Sequence, residues 1–360
     1  MSKDDYHLLV GTYTEGHSRG IHRYRLRCEP FSCHEQHFTP ADSPSYLTRS
    51  HHDDVVYAVH EVGADRPGTV SAFRFDPVSG ELSYRNTVTT GGADPCHVHE
   101  SVEGHFIFVS NYSGGSLAVI PRASSGTLGD PLQVLQYGGG SGTVPSRQQG
   151  AHIHFSVTSP DGRFLFICDL GNDCLYQYPL DEHNSRSPLD LNALKRITLP
   201  FGSGPRQIKF SASGQHAYVM GELDGCVYVF DYKNDTLVLR HHMSLAEAGS
   251  DDEHGGGELI LSDDDRHLYA SNRGSFDEIV TFAIHPGDGT LRRLQRVSTE
   301  GIMPRHFDMT PDGRHLLVGN QASGTIELFD RDPVNGQLSH AQQQVLIDQP
   351  ACVLLIPVHH

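Results

Sequence analysis

Residues able to do acid–base and anion chemistry sit at a few repeated places in this chain. Arg206 lies in GPRQIKF, Arg305 in MPRHFDM and Arg273 in LYASNRG. His152 and His154 share AHIHFSV, His97 follows Cys96 in PCHV, and His306 follows Arg305. Glu222 closes AYVMGE, Glu258 opens ELILS, and Gln207 follows Arg206. A guanidinium offers a planar fork of donors that suits carboxylate or phosphate. A neutral imidazole can take a proton near working pH. A carboxylate can orient that imidazole or pair with an arginine. Such a set could hold a small anion and move a proton on it, provided the fold brings its members together.

The elements that would do so are written as a repeat. LLVGTY, VYAVHE, FIFVSNY, FLFICDL, AYVMGE, LYASNR and LLVGNQ end at Tyr13, Glu61, Tyr112, Leu170, Glu222, Arg273 and Gln321. Their spacings are 48, 51, 58, 52, 51 and 48 residues. A period near fifty built from short β-rich runs predicts a β-propeller with one four-stranded antiparallel sheet per repeat. Seven copies predict seven blades. Within a repeat, an apolar run leads to a turn such as Pro160-Asp161-Gly162 or Pro311-Asp312-Gly313, in which Pro presets φ and Gly accepts positive φ. The signature run forms a second strand, and TVSAFRF, CVYVFDY and TIELFDR alternate as a third. A Gly-rich turn then leads to a fourth.

The chain enters at a second-strand phrase, HLLVGTYT, and leaves on an unpaired first strand, PACVLLIPV. The last strand is therefore expected to complete the first blade and close the ring without an open edge. Residues 1–360 are expected to form a single all-β domain. No apolar run is long enough for a membrane span, and MSKDDYHLLV lacks a signal-peptide core. A cytoplasmic protein with its seven scattered cysteines reduced is the expectation. The net charge of −17 argues against nucleic acid as a partner.

Propeller geometry selects among the candidates. First and second strands of a blade form a hairpin, so first-strand starts and second-strand ends meet at one mouth of the central channel. His97, His152, His154, Arg206, Gln207, Glu258, Arg305 and His306 belong to the first group, Glu222 and Arg273 to the second. His152 and His154 are two residues apart on one strand and can face the same side. Three arginines at one mouth of so acidic a chain point to a small anionic ligand. Asn111, Asn272 and Asn320 recur at one blade position and read as structural caps between blades.

The phrases GTYT, PSYL, PCHV, VSNYSGGS, AHIHFSVTSPDGR with CDLGND, GPR, SNRG, and PRHF with TPDGR and GNQ run the length of the chain. In them the chain resembles the seven-bladed lactonase family of bacterial 6-phosphogluconolactonases and fungal carboxy-cis,cis-muconate cyclases. The resemblance implies the propeller fold and carries the family's suspected active-site positions onto His152, His154, Arg206, Glu222 and Arg273. It implies hydrolysis of a sugar lactone, with 6-phosphogluconolactone and the pentose phosphate pathway as the leading case. His154 or His152 would be the base, and Arg206 or Arg273 would stabilise the oxyanion. His97, Gln207, Glu258, Arg305 and His306 would contact substrate. Two positions depart from the family: Gln207 stands where histidine is usual, and Gly221 precedes Glu222 where asparagine is usual.

Two other readings fit the same residues: lactonising cycloisomerisation of a muconate-type diacid, and a silent sugar-phosphate-binding propeller. The absence of tryptophan removes the WD-repeat scaffold class. No cofactor is expected. Glu61, Glu258 and Asp169 could offer oxygen ligands, but a mouth rich in arginine repels a cation, so no metal is expected there.

Overall fold

The computed structural model describes residues 5–63, 65–247 and 254–358, with the side chain of His254 left aside. They form a seven-bladed β-propeller of seven four-stranded antiparallel sheets. In chain order, blades two to seven begin with the inner strands Leu47–Arg49, Pro95–Glu100, Ile153–Thr158, Pro205–Phe210, His254–Leu261 and Pro304–Met309. The first blade takes its inner strand, Pro350–Pro357, from the other end of the chain. That strand pairs with Asp5–Thr12, with Leu9 opposite Leu354. The ring thus closes as its two incomplete ends required.

Burial follows strand position. The second strands Val55–His60, Phe106–Asn111 and His315–Asn320 are buried at every residue, whereas the outer strand Leu82–Thr89 is mostly exposed. A strand covered on both faces reads as a continuous apolar run, and an edge strand does not. Each blade face packs on its neighbour, so the hydrophobic core is divided into seven clusters, one at each seam. The closing seam, with Tyr6, Leu8 and Leu355 against Leu317 and Leu328, is packed like the others. Among the described residues the only helical element is a single 3-10 turn, Leu191–Ala193, and no helix is long and apolar enough to cross a membrane.

The inner strands share one irregularity. In six blades an extra residue interrupts the ladder near the mouth. It falls between Pro95 and His97, Ile153 and Phe155, Pro205 and Gln207, Gly256 and Leu259, Pro304 and His306, and Pro350 and Cys352. A β-bulge bends the strand and re-aims the inserted side chain. The inserted residues include Cys96, His154, Arg206 and Arg305, so the bulges turn these groups into the channel mouth.

Candidate active site at the channel mouth

Glu222 is the centre of the mouth. It directly follows the second strand of the fifth blade, His216–Gly221, and its side chain is 6 % exposed. Arg206 and Arg147 each contact it directly, one on each carboxylate oxygen, and Arg273 Nη2 lies 3.3 Å away. Burial pushes the carboxyl upward, but the charges of Arg206, Arg273, His154 and Arg147 outweigh that and hold it well below the usual range. Glu222 is therefore a fixed anion that gathers arginines, and a poor base.

The arginines are unequally satisfied. Arg206 donates to Gly257 O, to Glu222 and to His154 Nε2. Arg305 reaches Tyr13 Oη, with Glu61 Oε2 at 3.6 Å. Arg273 donates from Nη2 to Gly256 O at 2.6 Å, while its buried Nε has no hydrogen-bond partner. Burial lowers the Arg273 pKa to about 10, with Glu222 opposing the shift. It remains a cation at neutral pH with a donor to spare.

The two histidines do not play equivalent parts, because the bulge separates them. His154 is buried, and burial followed by the charge of Arg206 lowers its pKa well below 6.5. Its Nε2 accepts from Arg206 and is thereby occupied. His152 is half-buried. Its Nδ1 donates to Tyr112 O at 3.1 Å, which fixes the tautomer and leaves Nε2 with the lone pair. Its ring stacks on Tyr112 at 4.5 Å and 16°, and the same tyrosine meets His154 edge-on.

His97, Gln207, Glu258 and His306 come together one layer deeper. With Tyr46, Phe155 and the bulge residues they line a cavity of about 20 Å³, room for about one water and for no sugar. Each has a polar atom committed across a seam. His97 Nδ1 accepts from Ser156 N, Gln207 Oε1 from Leu259 N and His306 Nδ1 from Val353 N, each on the inner strand of the following blade. Gln207 also donates to Glu258 Oε1 at 2.6 Å. Inner strands have one edge unpaired, and these side chains satisfy amides that would otherwise be buried alone. Asn111 and Asn320 act similarly at the blade ends, donating to Thr90 O and Thr299 O on the preceding blade.

One contributor to the mouth, and the role of another, were not legible. Arg147 comes from the Gly-rich segment GGGSGTVPSRQQG between the third and fourth blades. Gln148 anchors that segment by donating to Leu170 O and Asp173 Oδ1 at 2.9 and 2.7 Å. Arg147 then reaches Tyr112 Oη at 3.0 Å and Glu222. The signal was the 58-residue step, the longest in the chain. Tyr112 directly follows a second strand, as Glu222 does, which places it at the mouth, but nothing in the sequence marks it as the support for His152. All seven cysteines are free.

A profile described as "Lactonase, 7-bladed beta-propeller" matches residues 7–355. The chain belongs to this lactonase family. It is 31 % identical over 348 residues to a 6-phosphogluconolactonase of Bacillus subtilis, covering 96 % of each chain. It is 31 % identical over 358 residues to a 6-phosphogluconolactonase of Formosa agariphila, covering 98 % of this chain and all of that one. Among solved structures, the periplasmic gluconolactonase PpgL of Pseudomonas aeruginosa superposes with a TM-score of 0.94 at 38 % identity, covering 99 % of this chain and 100 % of that one. The lactonase-family resemblance read from the motifs and the seven blades read from the repeat agree with these matches.

Proposed function

We propose that the mouth hydrolyses a phosphorylated sugar lactone, with 6-phosphogluconolactone as substrate and 6-phosphogluconate as product. One observation carries the reading. Arg147, Arg206, Arg273 and Arg305 gather around Glu222 and Glu61, with Glu258 one layer below, in a chain of net charge −17. The excess of arginine over carboxylate suits an anionic phosphate. The layer beneath is too small for a sugar, so the lactone sits among these arginines and not deeper in the channel.

His152 Nε2 takes a proton from a water molecule, and the resulting hydroxide adds to the lactone carbonyl carbon. The carbonyl oxygen becomes an oxyanion, stabilised by the positive charge of Arg273. Collapse breaks the bond to the ring oxygen, which receives the proton back from His152 and leaves as the sugar hydroxyl. Arg206 holds Glu222 and His154 in place. Arg147 and Arg305 grip the phosphate. Such a substrate fits a cytoplasmic enzyme of the pentose phosphate pathway. A second reading, hydrolysis of unphosphorylated gluconolactone, is favoured by the similarity to the Pseudomonas gluconolactonase.

The test is the rate of acid release from fresh 6-phosphogluconolactone and from gluconolactone, with and without EDTA. The expected result is chelator-resistant turnover with the phosphorylated lactone preferred. A preference for gluconolactone would install the second reading. No rate above spontaneous hydrolysis with either would remove lactone hydrolysis and leave muconate-type diacids or simple binding.

A further inference from the structure

On the face opposite the mouth, two turns of neighbouring blades meet. One is the hairpin turn between the inner and second strands of the third blade, bearing Glu103 and His105. The other is the segment after the third strand of the fourth blade, bearing Glu182 and His183. Glu103 Oε2 lies 3.7 Å from His105 Nδ1 and 3.7 Å from His183 Nδ1. Potential ligand atoms of these three side chains all lie within 4.8 Å of one another. His105 Nδ1 donates a hydrogen bond to the backbone oxygen of Glu182 at 3.2 Å, a bond that this nitrogen gives up on binding an ion.

These spacings are long for hydrogen bonds between Glu103 and either histidine. They are close to the ligand-to-ligand edge, about 3.3–3.5 Å, of a tetrahedral site with metal bonds of about 2.0–2.1 Å. The backbones are already fixed. Glu182, itself buried, accepts from Glu103 N with both oxygens at 3.1 and 3.3 Å, clipping the turns together. His183 N donates to Asp181 Oδ1, and Gly104 N to Ser101 O. Only side-chain rotation of exposed groups is needed to close on an ion. No arginine or lysine pairs with Glu103 among the described residues.

We infer that Glu103, His105 and His183 form a binding site for a borderline divalent transition ion, zinc in the first instance, bridging the third and fourth blades. Two imidazoles and one carboxylate select such an ion over magnesium or calcium, which want oxygen ligands throughout. The Glu182 carbonyl or a water completes the shell. The site lies across the ring from the lactone chemistry and is independent of it.

Zinc uptake is measured by titration calorimetry on the full chain and on His105→Ala and His183→Ala, with magnesium as the comparison ion. Lactone turnover serves as the check on folding. Wild type is expected to bind an equivalent of zinc that both variants lose or bind at least about tenfold more weakly, with turnover unchanged. Zinc is expected to raise the melting temperature of wild type only, since it binds the native state. Identical zinc isotherms in wild type and both variants would overturn the site. So would equal binding of magnesium, or an anomalous zinc peak elsewhere in crystals of the soaked protein.

Discussion

Gln207 accepts a hydrogen bond from the backbone N–H of Leu259 at 2.9 Å, across the seam between the fifth and sixth blades. His97 and His306 do the same for Ser156 and Val353 at their own seams. A glutamine oxygen and an unprotonated imidazole nitrogen are interchangeable in this job. Gln207 thus keeps the acceptor that an unprotonated histidine would offer at this position.

Gln207→His should therefore preserve both stability and turnover. Gln207→Leu leaves the Leu259 amide and Glu258 without their partner and should cost about 1–3 kcal/mol. Urea denaturation of the two variants beside wild type separates them. Loss of activity in Gln207→His with stability intact would contradict the structural role.

His152→Gln removes the lone pair expected to activate water while keeping a polar side chain on Tyr112. Turnover should fall by about 10²–10⁴ with little change in KM. His154→Gln, by contrast, should act mainly through stability and the placement of Arg206. Steady-state kinetics on both decide which imidazole is the base, and a larger kcat loss in His154→Gln would reverse the assignment.

Arg147 is the most exposed of the four arginines at the mouth, with its side chain 40 % exposed. Its replacement by glutamine should raise KM for the phosphorylated lactone about 10–100-fold, the loss of one or two charge-assisted hydrogen bonds. KM for gluconolactone should change little. Equal effects on the two substrates would mean that Arg147 only steadies Glu222.

Stability should fall as the solution is acidified below neutrality. His60, His97, His99, His154 and His306 are all pushed below 6.5 by burial, His99 to about 3. A histidine with a depressed folded-state pKa contributes stability that is present above its unfolded pKa and lost as pH falls toward the folded value. Asp308, raised to about 6 by burial, works the other way: its contribution is present below its unfolded pKa and lost as pH rises through about 6. The histidines outnumber it. His99 accepts from Thr158 N at 3.1 Å, so His99→Gln can keep that bond without a titrating group. Its unfolding free energy, from urea denaturation, should fall by about 1 kcal/mol less than that of wild type between pH 6.5 and 5.5. Parallel pH profiles would show that His99 is not buried neutral.

The ring was legible in the chain because its cause is local and repeated. Each blade needs a buried second strand and a turn of fixed chemistry, so VYAVHE and AYVMGE announce themselves regardless of what surrounds them. Closure was legible for a similar reason: HLLVGTYT lacks an inner strand and PACVLLIPV lacks a partner, and an unpaired edge must be satisfied. The same logic brought Arg206, Glu222, Arg273 and His154 to one mouth.

Side-chain roles within that mouth were decided only in three dimensions. Strand alternation puts His152 and His154 on one side, but an extra residue at Ile153–Phe155 breaks the alternation and sends His154 to Arg206 and His152 onto Tyr112. The depth of His97, Gln207 and His306 depends on which blade supplies the neighbouring amide, a relation spanning 47 to 59 residues that no local pattern encodes. Arg147 enters from a segment with no periodicity, held by Gln148 against another blade. The sequence by itself determined how many blades there are, how they close, and which end carries the charge, because strand periodicity and edge pairing are properties of short segments. Which charge meets which, and which nitrogen is left free, were decided by bulges and seams, because those are set by contacts between blades.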